Sequence, residues 1–137
     1  MLSMPLDETV PSPVLRALAA CAVDAPPEDL ARLSRDSDPR VRHAAVRHPA
    51  LSPRAMLEAA RFADAPTCEM LGENPALPVG VVRLLASHLA DEVRLVAARH
   101  PRLDLTTLER LAEDRCALVR AVAEAALTRR LRGLATA

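Results

Sequence analysis

Three prolines, Pro49, Pro75 and Pro101, recur at intervals of 26 residues, and the segments that end on them align: VRHAAVRHP, TCEMLGENP and VRLVAARHP. A further copy, VRAVAEAAL at 119–127, keeps the register with Leu127 in place of proline. A repeat of this length is the signature of small supersecondary units that bury a face only against their neighbours. Each proline is followed two positions later by a leucine: Leu51, Leu77 and Leu103. Further apolar columns follow in step. One holds Leu30, Met56, Val82 and Leu108; the next holds Leu33, Ala59, Leu85 and Leu111.

The spacing within each unit predicts two short helices. In the first, apolar residues fall at i, i+3 and i+4, as in Leu108, Leu111 and Ala112. Ser52-Pro53 and Asp104-Leu105 mark its start, because a short polar side chain accepts from free backbone N–H groups and proline suits the first turn. The second helix carries Val41, Ala44 and Ala45, then Val93, Val96 and Ala97, then Val119, Val122 and Ala123, with Asp38-Pro39 as cap and first residue. The proline at 49, 75 or 101 ends it by pushing the preceding residue out of the helical region. Helices this short are marginal alone, so each must be held by its neighbours. The expected fold class is all-α: a short right-handed α-solenoid of about four paired-helix repeats. The expected organisation is a flexible N-terminus over 1–12 and one helical domain over 13–132. Within that domain we expect an N-terminal capping helix at 13–23, repeats at about 24–49, 50–75, 76–101 and 102–127, and a C-terminal cap to 132. Residues 133–137 are expected to form a tail.

The unit P-x-L-x4-[LMV]-x2-[LA]-A-x6-[VT]-R-x2-[VA]-A-x3-P resembles the leucine-rich repeat variant family, close to HEAT-like repeats. Asp104-Leu105 through Leu108, Leu111-Ala112, Asp114, Val119-Arg120 and Ala123 carry the resemblance, with their equivalents at 78–101 and 26–49; it covers roughly residues 25–127. It implies a right-handed superhelix and a protein-interaction role. The D-x-x-V-R pattern of HEAT-like units is intact only at Asp38, Val41 and Arg42; Thr67 and Cys68 replace Val and Arg in the second unit. The second unit is therefore the expected weak point. Some members of the variant family hold an iron–sulfur centre in an N-terminal cysteine cluster, and this chain has no such cluster.

Chemistry-bearing residues are sparse. Cys21, Cys68 and Cys116 stand in three different columns of three units, which suits neither a disulfide framework nor a metal site with closely spaced ligands. No cofactor is expected. His48 and His100 share a column with Asn74 between them. Two units separate the histidines, placing them on the order of 20 Å apart at the usual 8–10 Å helix spacing, too far to share an ion. A polar cap at the end of the second helix is the better reading. Arg42, Arg94 and Arg120 form another column, with acids nearby to pair them: Asp38 for Arg42, Asp91 or Glu92 for Arg94, and Asp114 for Arg120. No nucleophile–base arrangement or phosphate-binding glycine loop is present, so the chain is not expected to be an enzyme.

Charge narrows the partner. The 18 basic residues, all arginine, balance 18 acidic ones, which leaves no basic footprint for nucleic acid or anionic lipid. Phe62 is the one aromatic residue, so no stacking platform for single-stranded nucleic acid exists. No apolar run is long enough to span a membrane, and a cytoplasmic location with reduced thiols is expected. The expected function is a protein or peptide interaction module, acting as a monomer or within a larger complex. Its expected surface is the exposed side of the second helices: Arg40, His43 and Arg47 in one unit, Pro66, Glu69 and Glu73 in the next, and Glu92, Leu95 and Arg99 in the third. The alternatives are a HEAT-like nucleic-acid-binding protein, or a helper subunit of a larger enzyme assembly.

Overall fold

The computed structural model describes residues 11–136, and these are all-helical. Nine helices occur among them: α1 (Pro13–Cys21), α2 (Pro27–Leu33), α3 (Pro39–Val46), α4 (Pro53–Phe62), α5 (Ala65–Gly72), α6 (Val79–Leu85), α7 (Asp91–Arg99), α8 (Leu105–Leu111) and α9 (Ala117–Ala135). The odd-numbered helices form a row in which α1 packs on α3, α3 on α5, α5 on α7 and α7 on α9. The even-numbered helices lie against this row, α4 also touching α6.

Local chemistry starts these helices as the sequence suggests. Asp38, Ser52, Asp64 and Asp104 are N-caps whose side chains accept from backbone N–H groups in the first turn. Pro26 and Pro78 occupy the same place before α2 and α6 without a side-chain cap. The apolar columns become the core: Leu30, Met56, Val82 and Leu108 are each 1% exposed or less. Burying a side chain of this size is worth about 1.5–3 kcal/mol. The leucines after the prolines, Leu51, Leu77 and Leu103, are buried as well. Thr67 sits fully buried in the column of Val41, Val93 and Val119, where its γ-hydroxyl lies 3.4 Å from Arg42 Nε.

Boundaries shift at both ends. The N-terminal helix stops at Cys21 rather than 23, and Ser12, expected within a flexible segment, is its N-cap. The rest of that expected segment, residues 1–10, lies outside the described residues. The last helix runs to Ala135, past the expected end at 132. No proline interrupts it, the space around Gly133 is open, and Thr136 closes it by donating from its N–H to the Arg132 carbonyl. Residues 133–135 are therefore helix and not tail.

Gly72, the last residue of α5, faces Val96 of α7, and a Cβ built there would lie 2.4 Å from Val96 Cγ1. The glycine thus sets how closely α5 and α7 approach. Gly72→Ala should destabilise the protein by about 1–3 kcal/mol through overpacking. Gly80→Ala in α6, where a Cβ meets nothing within 4 Å, should be neutral or stabilise by up to ~1 kcal/mol. Urea melts of the two variants check both.

Candidate protein-interaction surface

The surface expected to bind a partner lies on α3, α5 and α7, and its residues hold different places. Arg40, Arg47, Glu73, Glu92 and Arg99 are exposed, as is Pro66. His43, Glu69 and Leu95 are half-buried. Arg40 is already engaged by its own helix cap, with Nη2 2.8 Å from Asp38 Oδ2. The Arg40 hydrogen bond, with the N–H groups of α3, pulls the Asp38 pKa down to about 2 against the opposing effect of burial. Arg47 and Glu73 stand at equivalent positions of adjacent units and pair at 3.4 Å. Both are about half exposed, so the pair contributes little to stability and its ends remain accessible. Between Glu73 and Arg99 the surface sinks into a hollow of about 310 Å³. Gly72 and Val96 line it together with Pro75 and Pro101. His43 keeps its Nε2 atom buried without a hydrogen-bond partner among the described residues.

Behind this face, two ladders of polar side chains connect successive units. The first runs through the position before each proline. His48 donates from Nε2 to the Ala22 carbonyl at 2.7 Å while its Nδ1 accepts from Ala50 N–H. Asn74 donates to the carbonyls of Val46 and His48 and accepts from Ala76 N–H. His100 donates from Nε2 to the Asn74 carbonyl at 3.1 Å and accepts at Nδ1 from Arg102 N–H. Arg130 of α9 closes the series by donating to the His100 and Leu103 carbonyls. The sequence led us to expect these side chains to cap their own second helices, and they do not. Each reaches back 26 residues to a carbonyl of the preceding unit. Because Nδ1 accepts a backbone N–H in each histidine, Nε2 is the ring nitrogen that donates to the carbonyl.

The second ladder is the arginine column, and it includes Arg16, 26 residues before Arg42. Arg16 grips Asp36 in a fork, Nε to Oδ2 at 2.7 Å and Nη2 to Oδ1 at 3.0 Å. Arg94 grips Asp114 in the same way, at 2.8 and 3.0 Å. Both acids lie 20 residues after their arginine. Each also accepts an N–H from the residue two positions on, Asp38 or Cys116, which shapes the turn into the next helix. The arginine hydrogen bonds hold both carboxylates below their usual pKa, against the opposing effect of burial. Arg94 uses all five of its N–H bonds, adding Asp91 and the His88 and Leu89 carbonyls. The expected pairing of Arg94 with Asp91 is present, and Glu92 takes no part. The expected Arg42–Asp38 pair does not form, because Arg40 occupies Asp38; Arg42 turns instead to Asp64 at 3.0 Å. Arg120 meets the Asp114 backbone carbonyl and not its carboxylate, which Arg94 holds.

Compared with protein-family profiles, curated proteins and solved structures, the chain matches none.

The cysteines stay apart in character: Cys21 is exposed, Cys116 half-buried and Cys68 buried. Burial pushes the Cys68 thiol up to about 11, which keeps it protonated and unreactive at neutral pH. Among the described residues no group of three or more His, Cys, Asp or Glu side chains could hold a metal ion. No helix there is long and apolar enough to cross a membrane.

Arg16, Asp36 and Phe62 lie outside the binding surface expected from the sequence. The signal for Arg16 was available in the 26-residue register. The fork to an acid 20 residues on was not, because it joins a second helix to a turn of the next unit.

His100 makes the first ladder sensitive to acid. Burial pushes its pKa below the ordinary value, with Arg102 and Arg130 acting in the same direction and the Asn74 carbonyl opposing. The folded state therefore resists protonation more than the unfolded chain does. Its contribution is complete above the unfolded pKa near 6.5 and declines as pH falls below that value. His100→Asn, which copies Asn74, should flatten stability between about pH 7 and 5 relative to the parent. Urea melts across that range read the difference.

Proposed function

We propose that the chain is a non-catalytic protein-interaction module, built as a short right-handed α-solenoid of about four 26-residue units and akin to the leucine-rich repeat variant and HEAT-like families. Supporting the architecture are the row of odd-numbered helices, the even-numbered helices laid against it, the His and Asn ladder that joins residues 26 apart, and the arginine ladder that joins residues 20 or 22 apart. Short paired helices that repeat in register present an extended surface assembled from many units, and such surfaces suit polypeptide partners.

The observation that carries the functional reading is the column Arg47, Glu73 and Arg99. It sets basic, acidic and basic side chains in turn along the exposed second-helix face, beside the 310 Å³ hollow between Glu73 and Arg99. A uniform polyanion would meet repulsion from Glu69, Glu73 and Glu92 on this face, whereas a folded protein or peptide of mixed charge can pair with each in turn. A cytoplasmic setting fits a chain whose three cysteines are all free thiols.

Affinity capture from native lysate, with and without nuclease, tests this reading. A stoichiometric protein partner that survives nuclease is the expected result. Charge reversal at Arg47 and Arg99 together should then weaken that partner's binding by about tenfold or more, the scale of losing interfacial charge pairs. Unchanged binding would show the second-helix face to be the wrong surface, and recovery of nucleic acid alone would overturn the interaction reading.

A further inference from the structure

The arginine ladder loses its acid after Arg42, and a cleft opens there. Counting 20 residues on from Arg42 leads to Phe62, where Arg16 and Arg94 find aspartates at the same interval. Phenylalanine can neither pair the guanidinium nor accept the N–H that shapes the turn. The helix continues instead: α4 runs through Phe62, and the chain enters α5 from Asp64. The space that the missing carboxylate and turn leave is a cleft of about 600 Å³, within the range of ligand pockets. Arg42 and Asp64 line it, Ala55 and Ala59 of α4 give it an apolar wall, and Phe62 stands at its edge with 82% of its surface exposed.

Arg42 retains capacity to bind there. Its Nη1 is filled by the Asp36 and Ser37 carbonyls, at 2.9 and 3.0 Å. Its Nε is held only by the long 3.4 Å contact to Thr67, and Nη2 makes one bond, to Asp64. One Nη2 hydrogen thus has no partner among the described residues. The Nε–Nη2 edge is the one that takes a carboxylate as a fork in Arg16 and Arg94. The other charges around the cleft are matched internally: Asp36 by Arg16, and Glu58 by Arg35 and Arg54. Asp64 is the one competitor for Arg42, and it is half exposed and already engaged as the cap of α5.

We propose that this cleft is a second binding site, which receives the side-chain carboxylate of an acidic peptide segment from a partner protein. Arg42 takes the carboxylate as Arg16 takes Asp36, and Phe62 with the alanine wall of α4 takes an apolar residue beside it. A polypeptide is the occupant because both internal precedents are aspartates presented on a turn of chain. The exposed phenyl ring also offers contact to an apolar residue, which a small acid does not bring. The site lies on the turn side of α4, apart from the α3–α5–α7 face, so it stands or falls independently of that surface.

The test uses the full chain and an array of labelled hexapeptides with Asp at the third position and varied apolar residues after it, read by fluorescence anisotropy. A subset should bind, and replacing Asp by Asn in those peptides should weaken binding by about tenfold or more, as for loss of a charge-assisted hydrogen bond. Phe62→Asp changes an exposed residue, keeps the fold, and should abolish binding. Arg42→Lys keeps the charge, loses the fork and should bind about tenfold more weakly. Asp64→Asn should tighten binding by about threefold through removal of the competing charge. Circular dichroism confirms that each variant is folded. Arg47→Ala should bind the peptides like the parent. Four results would overturn the proposal: no peptide bound at millimolar concentration, equal binding of the Asn peptides, full binding by Phe62→Asp, or free glutamate binding as tightly as the peptides.

Discussion

Every helix before α9 is ten residues or shorter, and a helix of that length does not persist in water on its own. What holds these helices is contact with the equivalent helix of the adjoining unit. The apolar columns supply most of the free energy, since Leu30, Met56, Val82 and Leu108 are all withdrawn from solvent. The small residues Ala45, Ala97 and Ala123, together with Gly72, let the row of odd-numbered helices close up enough for those contacts to form. The rest of the structure depends on this mutual support.

Apolar burial alone leaves the register between units poorly specified, because Ala, Leu and Val columns offer several near-equivalent fits. The polar ladders remove that ambiguity. A His or Asn that must place one atom on its own loop N–H and another on a carbonyl of the preceding unit has one satisfactory position. The arginine forks impose a similar condition across the turns, and the nearly buried Arg94 leaves none of its N–H bonds without a partner. Buried polar groups are costly unless fully paired, which makes such ladders selective for one arrangement.

The second unit departs from both its neighbours in one place. Phe62 and Cys68 replace the acid and the arginine that the ladder would use there. Cys68 is accommodated as a buried thiol whose Sγ lies 3.5 Å from the Ala59 carbonyl, and Thr67 remains in the core. The region expected to be weakest is therefore well packed inside and irregular outside. Its irregularity takes the form of a longer α4, an incompletely paired Arg42 and an open cleft.

Helix content, the caps at Asp38, Ser52 and Asp104 and the core columns were legible in the sequence, because each follows from local propensity or from a period along the chain. So was the exposure of Arg40, Arg47, Glu73, Glu92 and Arg99, which fall opposite the apolar positions of their helices. Side-chain partners across units were not legible. Sequence proximity pointed Arg42 to Asp38 and the histidines to their own helix ends, whereas the folded chain brings Asp64 to Arg42 and carbonyls 26 residues back to His48 and His100. Periodicity along one chain determines which face of each helix is buried. Which polar group meets which is decided only when the turns of one unit are laid against the helices of the next, because those distances depend on the packing of both.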